Sequence, residues 1–183
     1  NNLTNKGVMA VAGSVSVAGN AANTSAGRII QSADVTVVGN VVNEGDWNAQ
    51  VDSSITAKTL SGGGTFLLSS LVEQEIETDG GPQVTLVAGE ARELALSLSD
   101  NSVFAGVFDG KGDLVKSGTG TLELSAVQTF DGALTVEAGG VIANATMSDE
   151  LDIVVNLGAF YTAKATDTVN SVWNDGTFTL GDG

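Results

Sequence analysis

The sequence predicts an all-β fold, a parallel β-helix (solenoid) of about nine coils of roughly 20 residues each. Three observations predict it. Residues 15–23 read Val-Ser-Val-Ala-Gly-Asn-Ala-Ala-Asn and residues 35–43 read Val-Thr-Val-Val-Gly-Asn-Val-Val-Asn, a repeat at an offset of 20 with only conservative exchanges. Branched apolar residues alternate with Ser, Thr, Glu or Asp, which is the period of a strand. Gly, Asn and Asp separate these runs and supply turns. A coil cannot bury its inward side chains alone, so stacked neighbours do it for one another. At an inter-strand spacing of ~4.8 Å, nine coils make a rod roughly 45 Å long. A β-sandwich also alternates strands and turns, every ~8–12 residues, but gives no reason for the repeat.

Taken in order, Ile55 and Ala57 extend the first two copies. Val15, Val35 and Ile55 then form one inward column, and Val17, Val37 and Ala57 a second. Gly7, Gly27, Gly45 and Gly64, spaced 20, 18 and 19, each mark a turn. Asn20 over Asn40 and Asn23 over Asn43 are expected to stack as amide ladders along the axis. Trp47 and Trp173 lie beside turns, where a Trp covering the core at a corner is the expected role. Residues 1–68 are read as regular coils and 69–83 as an acidic excursion, with Glu73, Glu75, Glu77 and Asp79 ahead of Pro82. Residues 84–183 return to coils through Val84/Leu86, Leu94/Leu96/Leu98, Leu122/Leu124, Leu134/Val136 and Ile153/Val155. All of it makes a single domain, 1–183. The one stretch with any helical pattern is Leu67 to Thr78, and only Val72 and Ile76 support it.

Composition narrows the chemistry. The 183 residues hold 7 basic and 22 acidic side chains, a net charge of −15, with no Cys and no His. Nucleic acid is a poor partner for such a chain. The usual zinc, haem and iron–sulfur ligands are missing, as is the His of Ser-His or Cys-His catalysis. No apolar run is long enough for a membrane span. Residues 1–66 are nearly neutral, whereas 67–183 hold 4 basic and 18 acidic groups, a net −14. The start, Asn1-Asn2-Leu3-Thr4-Asn5, has no signal-peptide pattern, so a processed protein, an excised fragment or a cytosolic chain is expected. Both ends run straight into coil pattern without a cap, which allows head-to-tail self-association. Asn-x-Ser/Thr triplets at Asn2, Asn23 and Asn144 are expected to be chance occurrences.

Residues 104–142 carry a denser pattern: Phe104-x-Gly106, Gly110-x-Gly112-x-Leu114-x-Lys116-x-Gly118-x-Gly120-x-Leu122-x-Leu124, then Phe130-x-Gly132, Thr135-Val136 and Gly139. This resembles the passenger-associated transport repeat of bacterial autotransporters. Coils in the first third, such as Leu3-Thr4-Asn5-Lys6-Gly7 and Gly39-Asn40-Val41-Val42-Asn43-Glu44-Gly45, are similar to those of filamentous-haemagglutinin-type exoproteins. The resemblance implies a right-handed β-helix, secretion or display at the bacterial surface from an outer-membrane-anchored parent, and a role for the repeat in folding and export.

Asp109-Gly110-Lys111-Gly112-Asp113 clusters oxygens, but its spacing fits neither an EF-hand nor a calcium β-roll, and a turn is expected. Polysaccharide lyase or hydrolase chemistry would need paired carboxylates, which are plentiful here, and a nearby base, for which only Arg92 lies close to the excursion. No catalytic residue, metal ligand or cofactor is therefore expected. The expected function is structural and adhesive, directed at a host or bacterial surface protein or glycan. A self-stacking filament subunit and a polysaccharide-active enzyme are the alternatives.

Overall fold

The computed structural model describes residues 1–78 and 81–181. Their regular structure is strand throughout. The chain winds in coils, each laying strands on up to three faces in turn. The first three coils are β1 (Leu3–Asn5), β2 (Val8–Val11), β3 (Val15–Val17); β4 (Ala21–Asn23), β5 (Arg28–Gln31), β6 (Val35–Val37); and β7 (Val41–Asn43), β8 (Asp46–Ala49), β9 (Ser53–Ala57). The fourth holds β10 (Leu60–Ser61) and β11 (Thr65–Leu67), then leaves the rod as β12 (Ser69–Thr78) and β13 (Gly81–Ala91), and closes with β14 (Leu94–Leu98). Next come β15 (Ser102–Phe104), β16 (Val107–Gly110), β17 (Leu114–Ser117); and β18 (Thr121–Leu124), β19 (Thr129–Phe130), β20 (Ala133–Val136). In the last coils, irregular chain replaces the second-face strand: β21 (Gly140–Ala143), β22 (Asp152–Val155), β23 (Phe160–Ala163), β24 (Ser171–Asn174) and β25 (Thr177–Leu180).

Equivalent strands pair in parallel from coil to coil. The third face runs β3-β6-β9-β14-β17-β20-β22-β24 and the second β2-β5-β8-β11-β16-β19. The first face is two sheets, β1-β4-β7-β10 and β15-β18-β21-β23-β25. They are joined where Ala105 N donates to Gly62 O at 3.0 Å and Leu60 N to Ser102 Oγ at 3.0 Å. The result is a β-solenoid of about nine turns, as the repeat predicts.

The core is built of stacked columns. Val35 pairs with Val15 on one side and Ile55 on the other, and Val35 and Ile55 are buried. Val17 pairs with Val37, and Val17, Val37 and Ala57 are also buried. The Ile55 column continues through Leu96, Lys116, Val136 and Val155. On the second face, Trp47, Phe66 and Phe108 stack at 5.3 Å between successive rings, and Phe104 meets Phe66 edge-on at 5.6 Å. Such ring pairs stabilise beyond the area they bury. Gly45 stands at a corner where a Cβ would lie 2.2 Å from the carbonyl oxygen of Gly27, so only glycine lets the coils approach this closely. Gly64 and Gly106 continue that corner.

Two expectations need correction. The excursion reaches Ala91 instead of 83, and Val84 and Leu86 belong to its second strand, not to a coil. Alternation alone does not separate a coil strand from a hairpin strand. The weak helical pattern of Leu67 to Thr78 is not realised: Leu67 ends β11, and Ser69–Thr78 pairs antiparallel with β13. Trp47 is buried, but Trp173 is 68% exposed. Trp173 pairs with Val154, which alternates with the buried Ile153 and Val155, so its register points outward.

Candidate functional site

The hairpin β12–β13 is the one antiparallel sheet among the described residues, and its two strands pair only with each other. It leaves the rod between the second and third faces. Its length follows from its sequence: Val72, Val84, Thr85, Leu86 and Val87 are strong strand formers and the run between Ser69 and Ala91 has no turn signal until residues 79–82. Cross-strand pairing sorts its side chains. Glu73 faces Leu86 and Glu75 faces Val84 on one side, while Val72 faces Val87 and Gln74 faces Thr85 on the other. Val84 is 68% exposed, Leu86 47% and Val72 43%. The side chains of Glu77 and Asp79, singled out from the sequence, lie outside the described residues.

Hydrogen bonds clamp the root of this arm to the rod. Asn48, on β8, donates through Nδ2 to Ser69 O at 2.5 Å and accepts from Gln50 Nε2 at 2.6 Å. Leu71 N donates to Gln50 Oε1 at 3.3 Å, and Lys111 N to Ser69 Oγ at 3.1 Å. On the returning strand Arg92 donates from Nε to Gln50 O at 2.9 Å and from Nη2 to Glu90 Oε2 at 2.8 Å. Ser70 Oγ accepts from Glu90 N at 2.9 Å, so Asn48, Ser69 and Ser70 are buried with their hydrogen bonds made and the root is polar and satisfied. Sequence reasoning missed Asn48 and Gln50. The available signal was that Asn48 stands where β5 has Ile30. Beside the root runs a groove of about 200 Å³ on the second face, lined by Arg28, Asp46, Thr65, Leu67, Leu71 and Asp109. Arg28 and Asp46 form an exposed ion pair at 3.5 Å across it, worth little in water.

Carboxylates and amides elsewhere hold one coil to the next. Asp109 accepts from Thr129 Oγ1 at 2.7 Å and Asp113 from Ala133 N at 2.7 Å. Asp34 accepts from both N and Oγ of Ser54. Asp152 accepts from Ser171 Oγ and Asn170 Nδ2, which hold its carboxyl below the usual range. Asn5, Asn23 and Asn43 form a buried ladder, Nδ2 to Oδ1 at 2.9 and 2.8 Å, and the Oδ1 of Asn2 and of Asn20 accepts the backbone N–H of Asn20 and of Asn40. Asn23 is 1% exposed and so is no glycan acceptor. Among the described residues no group of three or more acidic side chains is placed to hold a metal ion.

The residues of the transport-repeat pattern mostly form core and corners. Phe104, Leu114, Leu122, Leu124, Phe130 and Val136 are fully buried. A Cβ on Gly112, Gly120 or Gly132 would strike the backbone of the preceding coil, and one on Gly106 would strike Gly64 O. Lys116 is the exception. It points inward, fully buried, and its ammonium donates to Ser117 O at 2.7 Å, Gly120 O at 2.8 Å, Gly118 O at 3.3 Å and Ala138 O at 3.3 Å. Gly118, at φ +78°, turns the chain back to form this cradle. Burial lowers the Lys116 pKa to about 8. A second buried polar group, the Tyr161 hydroxyl, has no hydrogen-bond partner, and burial followed by the charge of Asp167 pushes its pKa up.

No protein-family model, no curated protein and no solved structure matches the chain.

Proposed function

We propose that the chain is a non-catalytic, adhesive β-helical stretch of a bacterial protein that is secreted or displayed at the cell surface. The rod serves as spacer, and the β12–β13 hairpin makes contact with a surface protein or glycan of a host or neighbouring cell. The observation that carries this reading is the hairpin itself. Its root is clamped by Asn48, Gln50 and Arg92, while Val72, Val84 and Leu86 beyond the root are exposed. Exposed apolar side chains on a well-anchored element mark interaction surfaces more often than scattered ones do. The likeness of residues 104–142 to the transport repeat supports export and an outer-membrane-anchored parent.

The test compares the intact chain with a trimmed one in which residues 70–90 are replaced by Asn-Gly. Ser69 and Ala91 are already cross-strand partners, so a two-residue turn joins them without moving the coil. Beads coated with each chain are applied to epithelial cells, bacterial cells and a glycan array. Retention of the intact chain and loss by the trimmed one is the expected result. Equal retention of both, or of neither, removes the adhesive reading of the hairpin.

A further inference from the structure

We infer that β13 is a self-recognition edge: two copies of this chain pair through it, antiparallel, into a four-stranded sheet ordered β12-β13-β13-β12. The inference takes the hairpin as a contact element, as the proposed function does, and names a second copy as the partner.

Charge sorting within the hairpin is the first support. Every acid of the two strands short of the root lies on β12, which carries Glu73, Glu75 and Glu77. From Gly81 to Gly89, β13 carries no charge at all. Natural edge strands are normally defended by charges, a proline, a bulge or a covering element. Val84-Thr85-Leu86-Val87-Ala88 has no charge and no proline, and no strand besides β12 pairs with β13 among the described residues. Pro82 and the register shift near the root break the two ends of the β13 edge, which leaves Val84–Ala88 as its one undefended stretch, whereas β12 carries acids along its length.

Self-complementarity is the second support. An antiparallel pair centred on Leu86 sets Leu86 against the partner copy's own Leu86, Val84 against Ala88, and Thr85 against Val87. No charge meets a charge. The pairing covers Val84 and Leu86, two of the most exposed apolar side chains of the hairpin, at 68% and 47%. It also puts the two β12 strands on the outside of the new sheet, as far apart as four strands allow. Pairing through β12 would instead bring Glu73 and Glu75 against their copies. The arrangement is two-fold and closed, so it yields dimers, whereas stacking through the rod ends is heterologous and yields filaments. Each chain carries −15, so the association is expected to strengthen with salt, which screens the repulsion between rods.

Sedimentation of the full chain from 1 to 200 μM in low salt and in 0.5 M NaCl is the test, with Leu86→Lys as the variant. In one chain, a Lys at 86 faces Glu73 across the hairpin and suits it. In the dimer it faces its own copy across the two-fold axis. The expected result is a monomer–dimer equilibrium favoured by salt and shifted at least tenfold toward monomer by Leu86→Lys. Because the chain has no Cys, a second readout is clean: Leu86→Cys should form disulfide dimers much faster than Val72→Cys. A strictly monomeric chain at 200 μM in 0.5 M NaCl overturns the inference. So does a dimer or a growing filament that Leu86→Lys leaves unchanged. Self-association can fail while retention on cells or glycans persists, so the two readings are separable.

Discussion

Lys116 is the direct register neighbour of Leu96 in an inward column otherwise made of Val, Ile and Leu from Val15 to Val155. No ion pair to an acidic side chain compensates it among the described residues. Its ammonium is held by four carbonyl oxygens of the backbone, three of them in the turn that follows it. The charge thus ties the third-face strand β17 to the Gly118–Gly120 corner, where the chain begins the next coil.

The lowered pKa makes stability depend on pH. The unfolded chain keeps this lysine protonated up to about 10.5, whereas the folded one releases the proton near 8. Between those values the unfolded state binds more protons, so stability rises with pH, by up to about 3 kcal/mol from this group. Above pH 10 the buried Tyr161 phenol opposes it, because the unfolded phenol ionises first. Urea unfolding from pH 7 to 10 should show the rise, and Lys116→Met should flatten it. An unchanged pH slope in the variant would assign the effect elsewhere.

Val35→Asp places a carboxylate between Val15 and Ile55 in a dry column and should cost about 3 kcal/mol or more. Thr36→Asp, one residue on, is exposed and should change stability by no more than ~0.5 kcal/mol. Thermal melts of the two variants compare them directly, and equal losses would mean that the register of β6 is wrong.

Asn23 bridges three coils: its Oδ1 accepts from Asn5, and its Nδ2 donates to Asn43 Oδ1 and Asp46 O. Asn23→Ala strands buried partners on both sides and should cost about 2–4 kcal/mol. The exposed Asn40 supplies a control, since the bonds it makes to Asn20 and Ala21 run through its backbone N and O, which Asn40→Ala keeps. Chemical denaturation midpoints distinguish the two.

Gly45→Ala drives a methyl group into the carbonyls of Gly27 and Thr24, at 2.2 and 2.3 Å, and should cost about 1–3 kcal/mol. Gly13→Ala meets nothing within 4 Å and should be neutral or slightly stabilising. A Gly45 variant as stable as the parent would show that the corner opens freely.

The coil repeat was legible because identical positions stack: Val15, Val35 and Ile55 differ by 20 in number and pair in space. The same offset of 20 places Lys116 between Leu96 and Val136 in that column, but the columns drawn from the sequence stop at Ile55 and Ala57. The hairpin was half legible. Its acids announced a departure from the coil, but Val84 and Leu86 mimic the alternation of a coil strand, so its end was read as 83 in place of 91. What fixes that end is tertiary. Leu96 pairs with Ile55, 41 residues earlier, and only the closed coil reveals it. The root clamp was illegible for the same reason, since Asn48 and Gln50 matter only once Ser69 and Leu71 are folded over them.

Whether the arm is separable from the rod that carries it is read most directly by hydrogen exchange, residue by residue, on the intact chain at low micromolar concentration. Amides of β8, β9, β14 and β17 sit between coils on both sides and should exchange only through global unfolding. Amides of Val72–Thr78 and Gln83–Val87 belong to a two-stranded sheet with solvent around it, and should exchange orders of magnitude faster. Protection of those β12 and β13 amides equal to that of the coils, at a concentration where the chain is monomeric, would contradict a rod with a free-standing arm.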